Sequence, residues 1–279
     1  MAFRLVNVGG RAALATERFY FDLEKSSRGA FGPDCMDAIA RFEVLSSVDL
    51  ADMEPDGNLA DTELGPPVPR PRQIFGVGLN YRAHAEEFDS TSPDAPLIFA
   101  KFPASIIGPG SDIVLRGTEV DWEVELVAVI GKAAKHVPRR QAWNYVAGLT
   151  IGQDISDRKV QFAGSMPQFS MGKSFDTYSP IGPMLVSSDL VPDRNDLEIR
   201  CDVSGERKQS ARTSQMIFDI PYLIEAISSV VTMLPGDLIF TGTPAGVGMA
   251  SGCYLKEGDT IESHVEGIGT LLNRCAMQR

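Results

Sequence analysis

The chain has 279 residues, with 26 Lys plus Arg against 37 Asp plus Glu, for a formal charge of −11. That field repels polyanions and excludes a general nucleic-acid binder; no apolar run approaches the roughly 20 residues that a membrane span requires. Cys35, Cys201, Cys253 and Cys275 are widely spread without a C-x-x-C pair, so neither a zinc site nor a disulfide framework is indicated and a cytoplasmic location is expected.

In chain order, MAFRLVNVGGRAALA lacks a long apolar signal region and reads as the start of a fold. Residues 1–65 are expected to form a small N-terminal domain, with FRLVNV and RAALATE as strands around the Gly9-Gly10 turn. DCMDAIARFEVL has helical spacing, with Met36, Ile39, Ala40 and Leu45 on one face. Residues 66–72, carrying Pro66, Pro67, Pro69 and Pro71, are predicted as a linker without regular structure. From residue 73 to 279, nine short β-branched segments alternate with Gly and Pro, which predicts an α+β, strand-dominated domain of rolled or stacked sheets. IPYLIEAISSVVTML is the clearest helix; Ile220, Leu223, Ile224, Ile227, Val230 and Val231 form one stripe, and Pro235-Gly236 is its expected stop.

The stretch DWEVELVAVIG, residues 121–131, places two carboxylates inside an apolar run. In a strand, Glu123 and Glu125 project from one face while Val124, Leu126, Ala128 and Ile130 line the other. On a helix, residues two apart diverge and cannot share a ligand. Adjacent buried carboxylates repel, so one protonates or a cation sits between them; a solvated pair on an edge strand is the plain alternative. Asp154, where an apolar strand runs into a polar cluster, offers a third oxygen ligand. An all-oxygen set favours Mg²⁺, Mn²⁺ or Ca²⁺ over zinc or copper.

His84 and Glu87 stand three apart in NYRAHAEEF and share a face of a predicted short helix. A carboxylate beside an imidazole holds one tautomer, which suits a general base; a surface ion pair is the ordinary alternative. His136 and His264 have no such neighbour. TGTPAGVG is a glycine-rich loop whose Thr243 and backbone N–H groups can hold a carboxylate. GVGLNY lacks the third glycine of a dinucleotide fingerprint, so no nucleotide site is expected.

Taken together and in order, GLNYRAHAEE, DWEVELVAVIG, GQDISDR, GKSFDTYSPIGP and LPGDLIFTGTPAGVG resemble the fumarylacetoacetate hydrolase family, over roughly Pro71 to Cys275. The resemblance implies that family's fold, with Glu123, Glu125 and Asp154 as ligands of Mg²⁺ or a similar ion. It implies His84 as the base that activates water, Glu87 as its orienter, and Lys173 as the charge that stabilises negative charge on the substrate. Arg158 and Gln161 match positions that contact ligand or support the metal, and Gly242 and Thr243 complete the expected substrate contacts. Members mostly pair through this domain, so a homodimer is expected.

The implied substrate is a small keto acid that chelates through its carboxylate and C2 carbonyl. For a 2,4-diketo acid, water activated by His84 attacks the C4 carbonyl, Lys173 holds the oxyanion, and pyruvate leaves beside a carboxylic acid. The same site without water attack would decarboxylate oxaloacetate-like acids or tautomerise dienoic acids. A non-catalytic ion-binding protein is the rival from another class. QFAGSMPQFSMGKSF departs from the wording of members that cleave sugar acids, and the substrate tail stays open. Residues 81–95 are expected to act as a lid.

Overall fold

The alternation in VELVAVI decides where that strand lies. Val124, Leu126, Ala128 and Ile130 pack with Ile199, Cys201, Leu223 and Ile261 in one core. Val127 and Val129 pack on the opposite face with Leu5, Ile39, Leu185 and Phe240. A strand that is apolar on both faces belongs inside a layered structure, and in the computed structural model, which describes residues 2–278, Val124–Ile130 is buried at every position.

The strand lies in a 12-stranded sheet. Val146–Gln153 and Leu238–Phe240 flank it, both antiparallel. Beyond Leu238–Phe240 come Ile74–Gly78, parallel to it, and Leu97–Lys101, antiparallel to Ile74–Gly78 and last in the row. A five-stranded sheet, in the order Glu206–Arg212, Glu198–Val203, Thr260–Val265, Gly269–Met277 and Asp112–Leu115, shares the first core together with the helix Ile220–Val230. The α+β, strand-dominated architecture is the one expected.

At the N-terminus, Arg4–Val8 and Arg11–Ala15 form the hairpin, with Gly9 at φ 57° and Gly10 at φ 83°. Two consecutive positive φ values match the twist of flanking strands and favour glycine. This hairpin does not stand apart: Arg4 pairs with Val186 and Leu5 with Leu185, so it continues the large sheet. Residues 66–72 carry no helix or strand, yet Val68 is fully buried and Asn7 Nδ2 donates to the Pro66 carbonyl at 2.9 Å.

Two local expectations are corrected, and one strand is added. The DCMDAIARFEVL helix divides at Arg41 into Cys35–Ala40 and Phe42–Leu45. The Ile220 helix stops at Val230, short of Pro235, because Val231 turns to extended backbone and Met233 bridges to Ala134. Val230 is 77% exposed, and Ser228 takes the inward position, accepting from the Val137 N–H at 3.0 Å. The strand Glu206–Arg212 carries no apolar alternation in ERKQSAR; it is an edge strand held by its ladder.

Strand directions assemble the site. Val124 faces Gln153 across an antiparallel pair, so the start of one strand meets the end of the other. Leu238–Phe240 runs opposite to Val124–Ile130 and alongside Ile74–Gly78. Glu123, Asp154, Gly242 and the helix bearing His84 therefore emerge at one end of the sheet.

Candidate active site

Glu123, Glu125 and Asp154 are all buried, and each offers a carboxylate oxygen within 4.8 Å of the others. Their backbones are fixed first. The Asp154 N–H donates to the Glu123 carbonyl at 2.9 Å, and the Glu123 N–H donates to the Gln153 side chain at 2.9 Å. The Val124 N–H donates to Gln209 Oε1 at 3.0 Å. Two buried glutamine amides thus satisfy strand-end donors that no neighbouring strand reaches.

The two glutamates then diverge electrostatically. Burial pushes the Glu125 carboxyl well above the usual carboxylate range, and the charges of Asp154 and Glu123 push the same way. A 2.7 Å hydrogen bond from the Gly242 N–H opposes this only in part. Burial acts on Glu123 as well, but Lys173 and Arg158 outweigh it and hold that carboxyl below its usual range. Lys173 Nζ donates to Glu123 Oε2 at 2.9 Å, Asp154 Oδ2 at 2.8 Å and Ser156 Oγ at 2.8 Å. Four acidic side chains, Asp121, Glu123, Glu125 and Asp154, cluster with three basic ones, Lys101, Lys173 and Arg158, so the acidic groups outnumber the basic by one at the centre of the carboxylate trio. A hard divalent ion with oxygen ligands fits that position and that charge.

His84 lies on the helix Arg82–Glu86, and its Nδ1 is 3.1 Å from Glu87 Oε2. Glu87 is fixed in turn, because its Oε1 accepts the Gly246 N–H at 2.9 Å. Glu86 is exposed, as its offset predicts. A cavity of about 300 Å³ is lined by His84, Glu123, Arg158, Gln161, Lys173 and Thr243 together. Gly242, Glu125 and Asp154 do not line it. His136 and His264 lie elsewhere: the His136 N–H donates to Ser228, and the His264 ring meets Thr270.

The expected substrate contacts change character. The glycine-rich loop does hold carboxylates with its N–H groups, but they are the protein's own: Gly242 serves Glu125, Gly246 serves Glu87, and Gly248 and Met249 serve Asp121. The Gly242 amide is thus already engaged by Glu125. The Thr243 hydroxyl donates to the Val124 carbonyl at 2.9 Å and accepts from Gln209 at 2.8 Å, so it braces the strand. Arg158 donates twice to Asp121, once to Glu123 and once to Gln161, all at 2.7–2.9 Å.

Two site residues escaped the sequence reading. Asp121 Oδ2 accepts from Arg158 and Oδ1 from the Gly248 N–H at 2.6 Å. Its signal was present: Asp121, Glu123 and Glu125 repeat with period two. Lys101 ends the edge strand Leu97–Lys101 and is buried, donating to Asp154 Oδ1, to the Lys173 carbonyl and to the Tyr178 carbonyl. Burial lowers its pKa despite the pull of Asp154. A lone lysine in the apolar run LIFAKF was the available cue.

The fumarylacetoacetate (FAA) hydrolase C-terminal profile matches residues 73–276, and the chain belongs to this family. It is 44% identical over 212 residues to the mitochondrial oxaloacetate tautomerase Fahd2a of Rattus norvegicus, covering 75% of this chain and 67% of that protein. It is similar to the crystal structure of 5-carboxymethyl-2-hydroxymuconate delta-isomerase from Mycobacterium smegmatis, at TM-score 0.77 and 34% identity over the whole of both chains. Maleylpyruvate hydrolase from Sphingobium sp. SYK-6, solved with manganese(II) and pyruvate, superposes at TM-score 0.83 and 28% identity, covering 99% of this chain and 100% of that one. Hydrolase, isomerase and tautomerase activities thus all occur among its relatives.

Proposed function

We propose that this chain is a divalent-metal-dependent hydrolase that cleaves the carbon–carbon bond of a 2,4-diketo acid into pyruvate and a carboxylic acid. The observation that carries this reading is the His84–Glu87–Gly246 relay, which aims an oriented imidazole into the cavity that Glu123 and Lys173 also line. Glu123, Glu125 and Asp154 would hold Mg²⁺ or Mn²⁺; when bound, the ion supplies Lewis-acid polarisation of a carbonyl and stabilises developing negative charge. The manganese and pyruvate in the maleylpyruvate hydrolase support this assignment.

The chain's own residues carry the proton transfers. Glu87 engages Nδ1, which leaves the His84 Nε2 to take a proton from water as the oxygen bonds to the C4 carbonyl carbon. Lys173 supplies positive charge for the C4 oxyanion, and reaches it by releasing one of its three oxygen partners. Collapse breaks the C3–C4 bond, its electron pair stays on the keto-acid fragment, and His84 returns its proton to C3.

A second reading, tautomerisation of an oxaloacetate-like acid, is supported by the 44% identical rat relative. It needs only a proton relay between C3 and the C2 oxygen, without water attack. The test is pyruvate release from acylpyruvates with added Mg²⁺, run beside enol loss from oxaloacetate. Hydrolysis that disappears in His84→Ala supports the first reading; enol–keto exchange alone supports the second; neither activity overturns both.

Two further proposals attach to this function. A homodimer is supported by the apolar side chains Leu97 and Ile98, exposed on the last strand of the sheet. A cytoplasmic location is supported by four free thiols, Cys35, Cys201, Cys253 and Cys275. No described helix is long and apolar enough to cross a membrane.

A further inference from the structure

Much of the rest of the cavity lining is aromatic. Phe88, Phe99, Phe162 and Phe169 line it, joined by Leu79 and Met249. Phe99 and Phe169 meet edge to face at 5.5 Å, and Phe88 meets the His84 ring edge to face at 5.4 Å. Phe162 is 43% exposed, an apolar ring left at the surface. A pyruvate unit alone would fill only a small part of about 300 Å³.

The cations of that cavity are already engaged. Among the described residues lining it, the basic ones are His84, Arg158 and Lys173. Arg158 serves Asp121, Glu123 and Gln161; Lys173 serves Glu123, Asp154 and Ser156; His84 serves Glu87. Lys173 Nζ also lies 5.4 Å over the Phe99 ring, and among the described lining residues no basic group without a protein partner is left to meet a second substrate carboxylate. Placing a carboxylate against unpaired aromatic surface costs desolvation that nothing returns.

We infer that the group beyond the keto-acid head is uncharged and apolar, an aryl or branched alkyl acyl chain seated against Phe88, Phe99, Phe162 and Phe169. The inference rests on the keto-acid reading of the site and names its substrate class. It sets this chain apart from enzymes whose substrates end in a second carboxylate, such as oxaloacetate. Aromatic walls recognise such a tail through buried apolar area and edge-to-face contacts.

The test measures binding rather than turnover, by calorimetry on the Mn²⁺-loaded full chain. The probes are oxalate, pyruvate, phenylpyruvate, 4-methyl-2-oxopentanoate and 2-oxoglutarate, which share the two-oxygen head and differ beyond it. Phenylpyruvate is expected to bind about 10-fold more tightly than pyruvate, the gain expected from burying a few CH₂ equivalents; 2-oxoglutarate is expected to bind more weakly than pyruvate. Phe162→Ala, at a half-exposed position that tolerates truncation, should lose most of the phenylpyruvate gain while leaving oxalate affinity unchanged. Phe162→Arg should raise 2-oxoglutarate affinity by supplying the missing counter-ion. If oxalate and pyruvate bind but phenylpyruvate gains nothing, or 2-oxoglutarate binds most tightly, the apolar tail is wrong and the keto-acid site stands. If no probe binds, not even oxalate, both fall together.

Discussion

Glu123 and Glu125 are two residues apart and electrostatically opposite. Glu125 faces like charges and an N–H, whereas Glu123 faces Lys173 and Arg158. A carboxyl whose pKa is raised on folding holds its proton more tightly folded than unfolded, so folded stability falls as pH climbs above the ordinary value of 4.5. Glu123 is lowered, and its opposite slope lies below 4.5, outside that window. Urea titrations in EDTA between about pH 5 and 8 should therefore show a Glu125-dependent decline in stability, flattened by Mg²⁺ and made shallower in Glu125→Gln, where the raised carboxyl of Asp237 leaves a remainder of the same sign. A slope left unchanged in Glu125→Gln would assign it to another group. At Asp121, the expectation is that Asp121→Asn leaves Glu123 as the one carboxylate bonded to Arg158, beside the Gln161 amide, and weakens Mn²⁺ binding about 10- to 100-fold. Calorimetry giving wild-type affinity would remove Asp121 from the site's support.

Among the elements, the glycine-rich loop has the tightest tolerances. Gly246 sits at φ 104°, and a Cβ there would lie 2.0 Å from the Lys208 carbonyl oxygen. Gly246→Ala must therefore displace the loop and pull its N–H from Glu87. Turnover should fall by about 10-fold or more, while Mn²⁺ binding, which uses other residues, stays near wild type. Loss of both would mean that the loop fixes the whole end of the sheet. The His84 helix raises a different question. Tyr81, His84 and Ala85 are buried, whereas residues 91–95 carry no helix or strand and lie largely exposed. Such a segment opens locally at little cost. Amide exchange over 81–95 should slow when Mn²⁺ and oxalate are added; equal protection in both states would make it a fixed wall.

For the whole molecule, the N-terminal hairpin is structural to the catalytic sheet. Phe3, Leu5, Leu14 and Ile39 cover Val127, Val129, Leu185 and Phe240 on the face opposite the five-stranded sheet. Deleting residues 2–65 would expose that face and leave Ser179–Val186 without its partner Arg4–Val8. The truncated chain should be recovered aggregated or molten; a cooperative, wild-type-like thermal transition would show that the remainder folds alone. Sedimentation of the full chain should give a mass twice 30.2 kDa, and Ile98→Lys on the exposed edge should shift it toward one chain.

Much of this was legible in one dimension because strand signals are local. VELVAVI carries its own period, a glycine pair makes its own turn, and a His and a Glu three apart meet on any helix. The strand-dominated fold, the carboxylate trio and the His84–Glu87 pair follow from such patterns and from motif order. The sequence could not show which partners each charge chooses. Lys173 meets Glu123 across 50 residues, Gly242 meets Glu125 across 117, and Asp121 meets Gly248 across 127. Those pairings exist only once antiparallel and parallel strands bring distant ends to one edge. There, desolvation forces every buried charge to find a partner. Tertiary structure therefore decided that the loop's N–H groups serve the protein's own carboxylates, and that Arg158 and Lys173 are engaged while phenylalanines line the same cavity.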